Sequence, residues 1–110
     1  MPGEFPRLVV FKARGPSLRA FGVSAPLANP TLVLYRGDEK VLENDDWTSL
    51  HDFEKRYVRQ LFPTPDDPRE SAIATYLDPG VYSAVIAGAD GSGGVALLEV
   101  YIQDRFVIGL

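Results

Sequence analysis

The chain has 110 residues, no cysteine and a formal net charge of −4 at neutral pH. This length predicts a single domain over residues 1–110 with one hydrophobic core, and the lack of cysteine excludes disulfides, thiolate metal sites and a cysteine nucleophile. The acidic balance argues against a nucleic-acid partner, and no apolar run approaches the roughly 18 residues that a membrane span needs.

Turn-forming residues divide the chain into short segments with strand patterns. The segment from Leu8 to Phe11 is apolar throughout, which is typical of a strand buried on both faces or at the edge of a core. Gly37 and Asp38 mark a tight turn that needs a positive φ and brings two segments together as a hairpin. The predicted strands are 7–13, 31–35, 39–43, 72–77, 80–87 and 95–103.

One segment between these strands has a helical rather than a strand period. Its apolar residues repeat at helical spacing, so they are expected to pack on the sheet as one stripe: Leu50, Phe53, Tyr57 and Leu61. Thr48 or Ser49 would cap its start, and Pro63 would end it. Together these elements predict an all-β fold, an antiparallel β-sandwich of jelly-roll or Ig-like character with one inserted α-helix.

Acidic loops are the first candidate site. Calcium binds oxygen ligands from carboxylates, amides and backbone carbonyls, which an Asn-Asp-Asp turn supplies. The candidate metal ligands are Asp38, Asn44, Asp45, Asp46 and Glu70. The alternative is that Asn44 and Asp45 bond their own backbone in a turn and that Asp46 starts the helix.

Three further residues attract attention. Arg14 and Glu70 flank predicted central strands, so a buried, bidentate ion pair between them would have a structural role. Trp47 joins the acidic loop to the helix and is a candidate contact for a ligand, or else a residue that covers one end of the core. The single histidine, His51, is expected to face solvent, so a Ser/His/Asp triad lacks its base and we expect no enzyme.

Several segments resemble a known family when they are taken in order: ARGPSLRAFGV, NPTLVLY, ENDDW, DDPRESA, LDPGVYSAVIAG and GGVALLEVY. The set resembles the β-rich modules repeated in tandem in secreted and surface proteins of environmental bacteria, and more loosely the prepeptidase C-terminal (collagenase accessory) β-sandwich. The resemblance implies calcium near the Asn-Asp-Asp loop, a hairpin that opens at Leu-x-Pro-Gly-x-Tyr, and export as part of a longer protein.

The last residues, 105–110, are similar to a strand that precedes the Gly-Pro-Ser-Leu segment in the tandem modules, whereas no such strand precedes Arg7. We therefore expect an open edge beside residues 7–13. Residues 105–110 would fill that edge, either within the chain or in a strand-exchanged homodimer.

The expected function is that of a non-catalytic binding or structural module of a bacterial extracellular or surface protein, stabilised by calcium. The alternatives are a carbohydrate-binding adhesion module and a small enzyme of unknown reaction. A glycan or a protein would be the ligand. The start of the sequence has no long apolar segment of the signal-peptide type, so either a longer parent protein carries the export signal or the chain is a cytoplasmic copy.

Overall fold

The computed structural model describes residues 6–61 and 67–103, and strands are the most frequent secondary structure among them. The six strands are β1 (Arg7–Arg14), β2 (Pro30–Arg36), β3 (Glu39–Asn44), β4 (Ser71–Leu77), β5 (Tyr82–Gly88) and β6 (Leu97–Gln103). Three short helices accompany them: the 3-10 helices Pro16–Phe21 and Trp47–Ser49, and α1 (Asp52–Leu61). The prediction of a mostly β chain is confirmed, and each predicted strand corresponds to one of the six.

The strands form two antiparallel three-stranded sheets, with order β4–β1–β6 in the first sheet and β3–β2–β5 in the second. β1 pairs with β4 from Arg7 to Ala13 and with β6 from Leu8 to Arg14. Both of its edges are therefore occupied, so the expected open edge beside residues 7–13 is wrong. Seven of its eight residues are buried, as befits a central strand that is covered on both faces.

β2 and β3 form the predicted hairpin. Their pairing ends at Arg36 and Glu39, which leaves Gly37 and Asp38 as a two-residue turn. Gly37 has a φ of 59°, a left-handed conformation that glycine adopts without a steric cost. β5 and β6, in contrast, belong to different sheets. The hairpin that the family resemblance implies after Pro79-Gly80 is therefore absent, and residues 89–96 cross from one sheet to the other.

The two sheets share one apolar core. Its buried members come from one face of each sheet: Val9, Phe11, Ala13 and Ile73 from the first, and Leu32 and Leu34 from the second. The strand alternation places Val10, Ala72 and Ala74 on the opposite face of the first sheet, where Trp47, Leu50 and Tyr101 cover them. This arrangement is consistent with a small β-sandwich.

The predicted helix exists, but it begins later and packs differently than expected. Trp47–Ser49 is a separate 3-10 turn, and α1 starts at Asp52. Leu50 therefore precedes the helix and packs on the sheet from an extended backbone, so it is not one turn away from Phe53 on a helical stripe. Phe53 is 59% exposed, and the expectation that it docks on the sheet is wrong. The side chains of Tyr57 and Leu61 lie outside the described residues. No helix in the described part of the chain is long and apolar enough to cross a membrane.

Candidate functional site

The Asn-Asp-Asp segment, which begins at the last residue of β3, holds the edges of the two sheets together. Asn44 is buried, and its Oδ1 accepts a hydrogen bond of 3.0 Å from the Ala72 N–H of β4. Its amide nitrogen donates to Ser49 Oγ at 3.4 Å. The hydroxyl of Ser71, at the start of β4, contacts the carbonyl oxygens of Asp45 and Pro30. Side chains from both strands thus link β3 of the second sheet to β4 of the first.

The backbone of Asp46 has a similar structural use. Its carbonyl oxygen accepts hydrogen bonds from the Ser49 hydroxyl, at 2.7 Å, and from the Ser49 N–H, at 3.0 Å. Asp46 is the residue that begins the 3-10 turn, although its side chain makes no capping bond there. Asp46 thus starts a 3-10 turn, whereas the Asn44 side chain bonds β4 and not its own backbone.

The predicted calcium ligands are divided among separate places. Asp38 lies in the turn before β3, whereas Asn44 lies at the other end of that strand. Glu70 is engaged with the segment that follows β1. Among residues 6–61 and 67–103 there is no group of three or more histidine, aspartate or glutamate side chains placed to hold a metal ion. Calcium binding stays a prediction, and the change of melting temperature with calcium and with chelator tests it.

Glu70 is a buried carboxylate that fixes the chain as it leaves β1. It is 1% exposed. Its Oε2 accepts hydrogen bonds from the Gly15 N–H at 2.8 Å, the Ser17 N–H at 2.8 Å and the Ser17 hydroxyl at 2.6 Å. A Cβ at position 15 would clash with the carbonyl oxygen of Leu27. The Gly-Pro-Ser turn is therefore a carboxylate-binding turn inside the protein, and this explains the choice of glycine and serine.

Arg14 and Glu70 lie in one network, joined by Ser17. Arg14 donates to Ser17 Oγ at 3.3 Å, and its Nε donates to the Glu99 carboxylate at 2.6 Å. Tyr101 donates to the other oxygen of Glu99 at 3.3 Å. Glu99, which lies 85 residues away in the sequence, is thus at ion-pair distance from Arg14. The sequence signal for it was a single acidic residue within the apolar strand β6.

Trp47 is half-buried and packs on the outer face of the first sheet. Its indole N–H donates to the Asp67 carbonyl oxygen at 3.2 Å, and its backbone N–H donates to the Glu70 carbonyl oxygen at 2.8 Å. Asp67 is held in turn by a bidentate contact with Arg69, at 2.9 and 3.0 Å, and this hydrogen bonding lowers the pKa of the Asp67 carboxyl. Trp47 thus covers part of the outer face of the first sheet and not one end of the core, and its contact with a ligand stays a prediction.

An apolar cleft opens on the other side of the molecule, between the sheets. We call it the open cleft. Its volume is about 380 Å³, and its walls are one face of β1 and β6, the β4–β5 loop and Tyr82. Val100 and Ile102 of β6 line it and are 47% and 63% exposed. The register pairs them with Phe11 and Val9 of the core, which are 6% and 7% exposed. The cleft is therefore a continuation of the core that the described residues leave uncovered.

A second, smaller groove of about 340 Å³ lies on the outer face of the first sheet. Its walls include Tyr76 and two exposed aromatic rings, those of His51 and Phe53, which stack with centroids 6.0 Å apart. His51 is exposed, as expected from the sequence. These side chains form one exposed aromatic surface in the described part of the chain, and Trp47 does not line it.

Comparison with known proteins gives no further identification. No protein-family model, no curated protein sequence and no solved structure matches this chain.

Proposed function

We propose that the chain is a non-catalytic binding module of a longer bacterial surface or secreted protein, a β-sandwich whose open side binds an extended segment of protein. One observation carries this proposal: the apolar face of β6 lines the open cleft although it continues the core, with Val100 and Ile102 about half exposed or more. Large apolar side chains that line a concave surface are typical of binding sites.

The chemistry of this side favours a strand-like ligand. Within the described residues, β6 pairs only with β1, and β5 pairs only with β2, so each has a free edge. Free edges offer backbone N–H and C=O groups to an extended chain, and pockets for alternate side chains give specificity. The location at a bacterial surface rests on the family resemblance, and the function as a binding module rests on the open cleft.

A matched pair of valines tests the proposed function. Val100 and Val85 are 47% and 46% exposed, but Val85 lies on the opposite face of its sheet from the core. Peptides with alternating apolar residues would be selected from a displayed library on the full chain. We expect Val100→Arg to abolish their binding and Val85→Arg to preserve it. Equal binding to both variants, or failure to select any peptide, would contradict the proposal.

A carbohydrate-binding module is the second candidate, and the aromatic groove is the observation that favours it. Sugar rings stack on exposed aromatic faces, and the groove offers the Phe53 ring, with the Glu54 carboxyl at its wall. On a glycan array, Phe53→Ala should lose whatever glycan the intact chain retains, while Val85→Arg should keep it. An array without a retained glycan removes this candidate.

A further inference from the structure

We propose that the open cleft accepts residues 106–110 of a second copy of this chain, which add a strand along the free edge of β6 and form a strand-exchanged dimer. This inference rests on the proposed function, because it names the partner of the same cleft. It also moves the exchange site: the edge beside β1 is occupied, whereas the edge of β6 is free in the described part of the chain.

The segment has the side-chain pattern that the cleft requires. Phe106, Ile108 and Leu110 alternate with Val107 and Gly109. In an extended chain this period of two places three large apolar side chains on one face. The cleft presents a matching apolar wall, with Val9 and Phe11 at its floor and Val100 and Ile102 at its side. A strand added beside β6 would therefore bury its own apolar face and the apolar wall of the cleft against each other.

The position and charges of the segment fit the same place. Asp104 and Arg105 join the segment to Gln103, the last residue of β6, and Ile102 lines the open cleft. Arg7 and Asp78 also line the cleft. Asp104 and Arg105 therefore each have an opposite charge available in the cleft.

Turn chemistry favours a second copy over the same chain. To return along its own β6, the segment would need a tight turn at Asp104 and Arg105. Two-residue hairpin turns require positive φ values and strongly favour Asn-Gly, Asp-Gly or a leading glycine. Arg105 in the second turn position does not meet this requirement. Without such a turn, the segment would extend away from its own β6 and toward another molecule. In two copies related by a two-fold axis, each segment would then occupy the cleft of the other copy.

Sedimentation of the full chain and two sets of variants test the exchange. Phe106→Ser with Ile108→Ser, the segment variant, should raise the dimer dissociation constant at least about 30-fold, the change expected for loss of a hot-spot contact of about 2 kcal/mol. Val100→Arg, the cleft variant, should do the same. Val107→Ser and Val85→Arg are the matched controls and should leave the dimer unchanged.

Mixing the two defective variants separates exchange from folding back. In an exchanged dimer, the intact segment of the cleft variant fits the intact cleft of the segment variant, so the mixture should form heterodimers although each variant alone is monomeric. A full chain that is monomeric at every soluble concentration, or a mixture without heterodimers, overturns the inference. Melting curves of each variant, followed by the fluorescence of the single tryptophan, show whether it is folded.

The two proposals fail in different ways. If library peptides bind the cleft and the full chain is monomeric, the binding function stands and the second copy is wrong as the partner. If Val100→Arg changes neither peptide binding nor sedimentation, both proposals are wrong.

Discussion

The two sheets are joined by polar contacts at one side of the molecule, whereas apolar side chains of the core layer are exposed at the other side. On one side β4 lies over β3, and polar side chains join the two sheets: the Asn44 amide oxygen accepts from the Ala72 N–H, and Ser71 contacts the Asp45 carbonyl. On the other side, β6 belongs to one sheet and β5 to the other, and the inner-facing Val100 and Ile102 remain about half exposed or more. We refer to these as the closed side and the open side.

The difference between the two sides shows which contacts complete the edge of a small core between two sheets. Apolar contact fills the centre, but strands at the edge present unpaired backbone groups that need partners. On the closed side those partners include short polar side chains at the facing ends of β3 and β4, Asn44 and Ser71. On the open side the described residues supply none, so the same apolar layer becomes a binding surface. We therefore expect substitutions at the centre and at the closed side to lower stability, and substitutions at the open side to affect binding.

The largest contrast should come from truncating apolar side chains at the centre and at the open side. Leu34 is fully buried, and Leu34→Ala should lower the free energy of unfolding by about 2–5 kcal/mol through lost burial and a cavity. Ile102 is 63% exposed, so Ile102→Ala should cost about 1 kcal/mol or less. Urea unfolding of dilute protein, where a dimer dissociates, measures both. Equal costs would mean that the open side is part of the core.

The next effect concerns the buried carboxylate at the closed side. Glu70→Ala leaves the Gly15 and Ser17 N–H groups without their acceptor, and each unsatisfied buried group costs about 1–3 kcal/mol. We expect a total loss of about 3 kcal/mol. Glu70→Gln keeps an acceptor oxygen and should cost less, while Glu43→Ala, at an exposed carboxylate, should change stability by no more than about 0.5 kcal/mol. A Glu70→Ala protein as stable as the Glu43→Ala control contradicts this role.

The hydrogen bond between Asn44 and Ala72, which links the two sheets, should contribute somewhat less to the free energy of unfolding. Asn44→Ala removes the acceptor for the Ala72 N–H, and we expect a loss of about 1–3 kcal/mol in the free energy of unfolding. Glu43→Ala is the control because Glu43 precedes Asn44 on the same strand and its carboxylate is exposed. If the two variants are equally stable, Asn44 does not hold the closed side.

The strands were predictable from sequence, but their partners were not. Alternation around Leu32 and Leu34 and the Gly37 turn identify the β2–β3 hairpin because its contacts are local. The pairing of β1 with both β4 and β6 depends on packing between distant segments, and so does the open cleft. For the same reason the sequence did not predict the ion pair between Arg14 and Glu99. The prediction that Phe53 packs on the sheet was wrong because the helical spacing was counted from Leu50, where the backbone is extended.

The smallest effect is a pH dependence in the turn that carries Trp47. Arg69 lowers the pKa of the Asp67 carboxyl through their hydrogen bonds, and Asp67 accepts the Trp47 indole N–H through its backbone. Because the folded pKa lies below the unfolded value of about 3.9, this contact stabilises the protein above about pH 4 and is lost as the pH falls through the folded pKa. Arg69 is exposed, so solvent screens its attraction to Asp67 and the contribution of the pair to stability should be small. Arg69→Gln should therefore lower stability slightly at neutral pH and make the decline on acidification shallower. Urea midpoints at neutral and acidic pH, read from Trp47 fluorescence, measure this, and a parallel pH dependence in both proteins would show that the pair contributes nothing to closure.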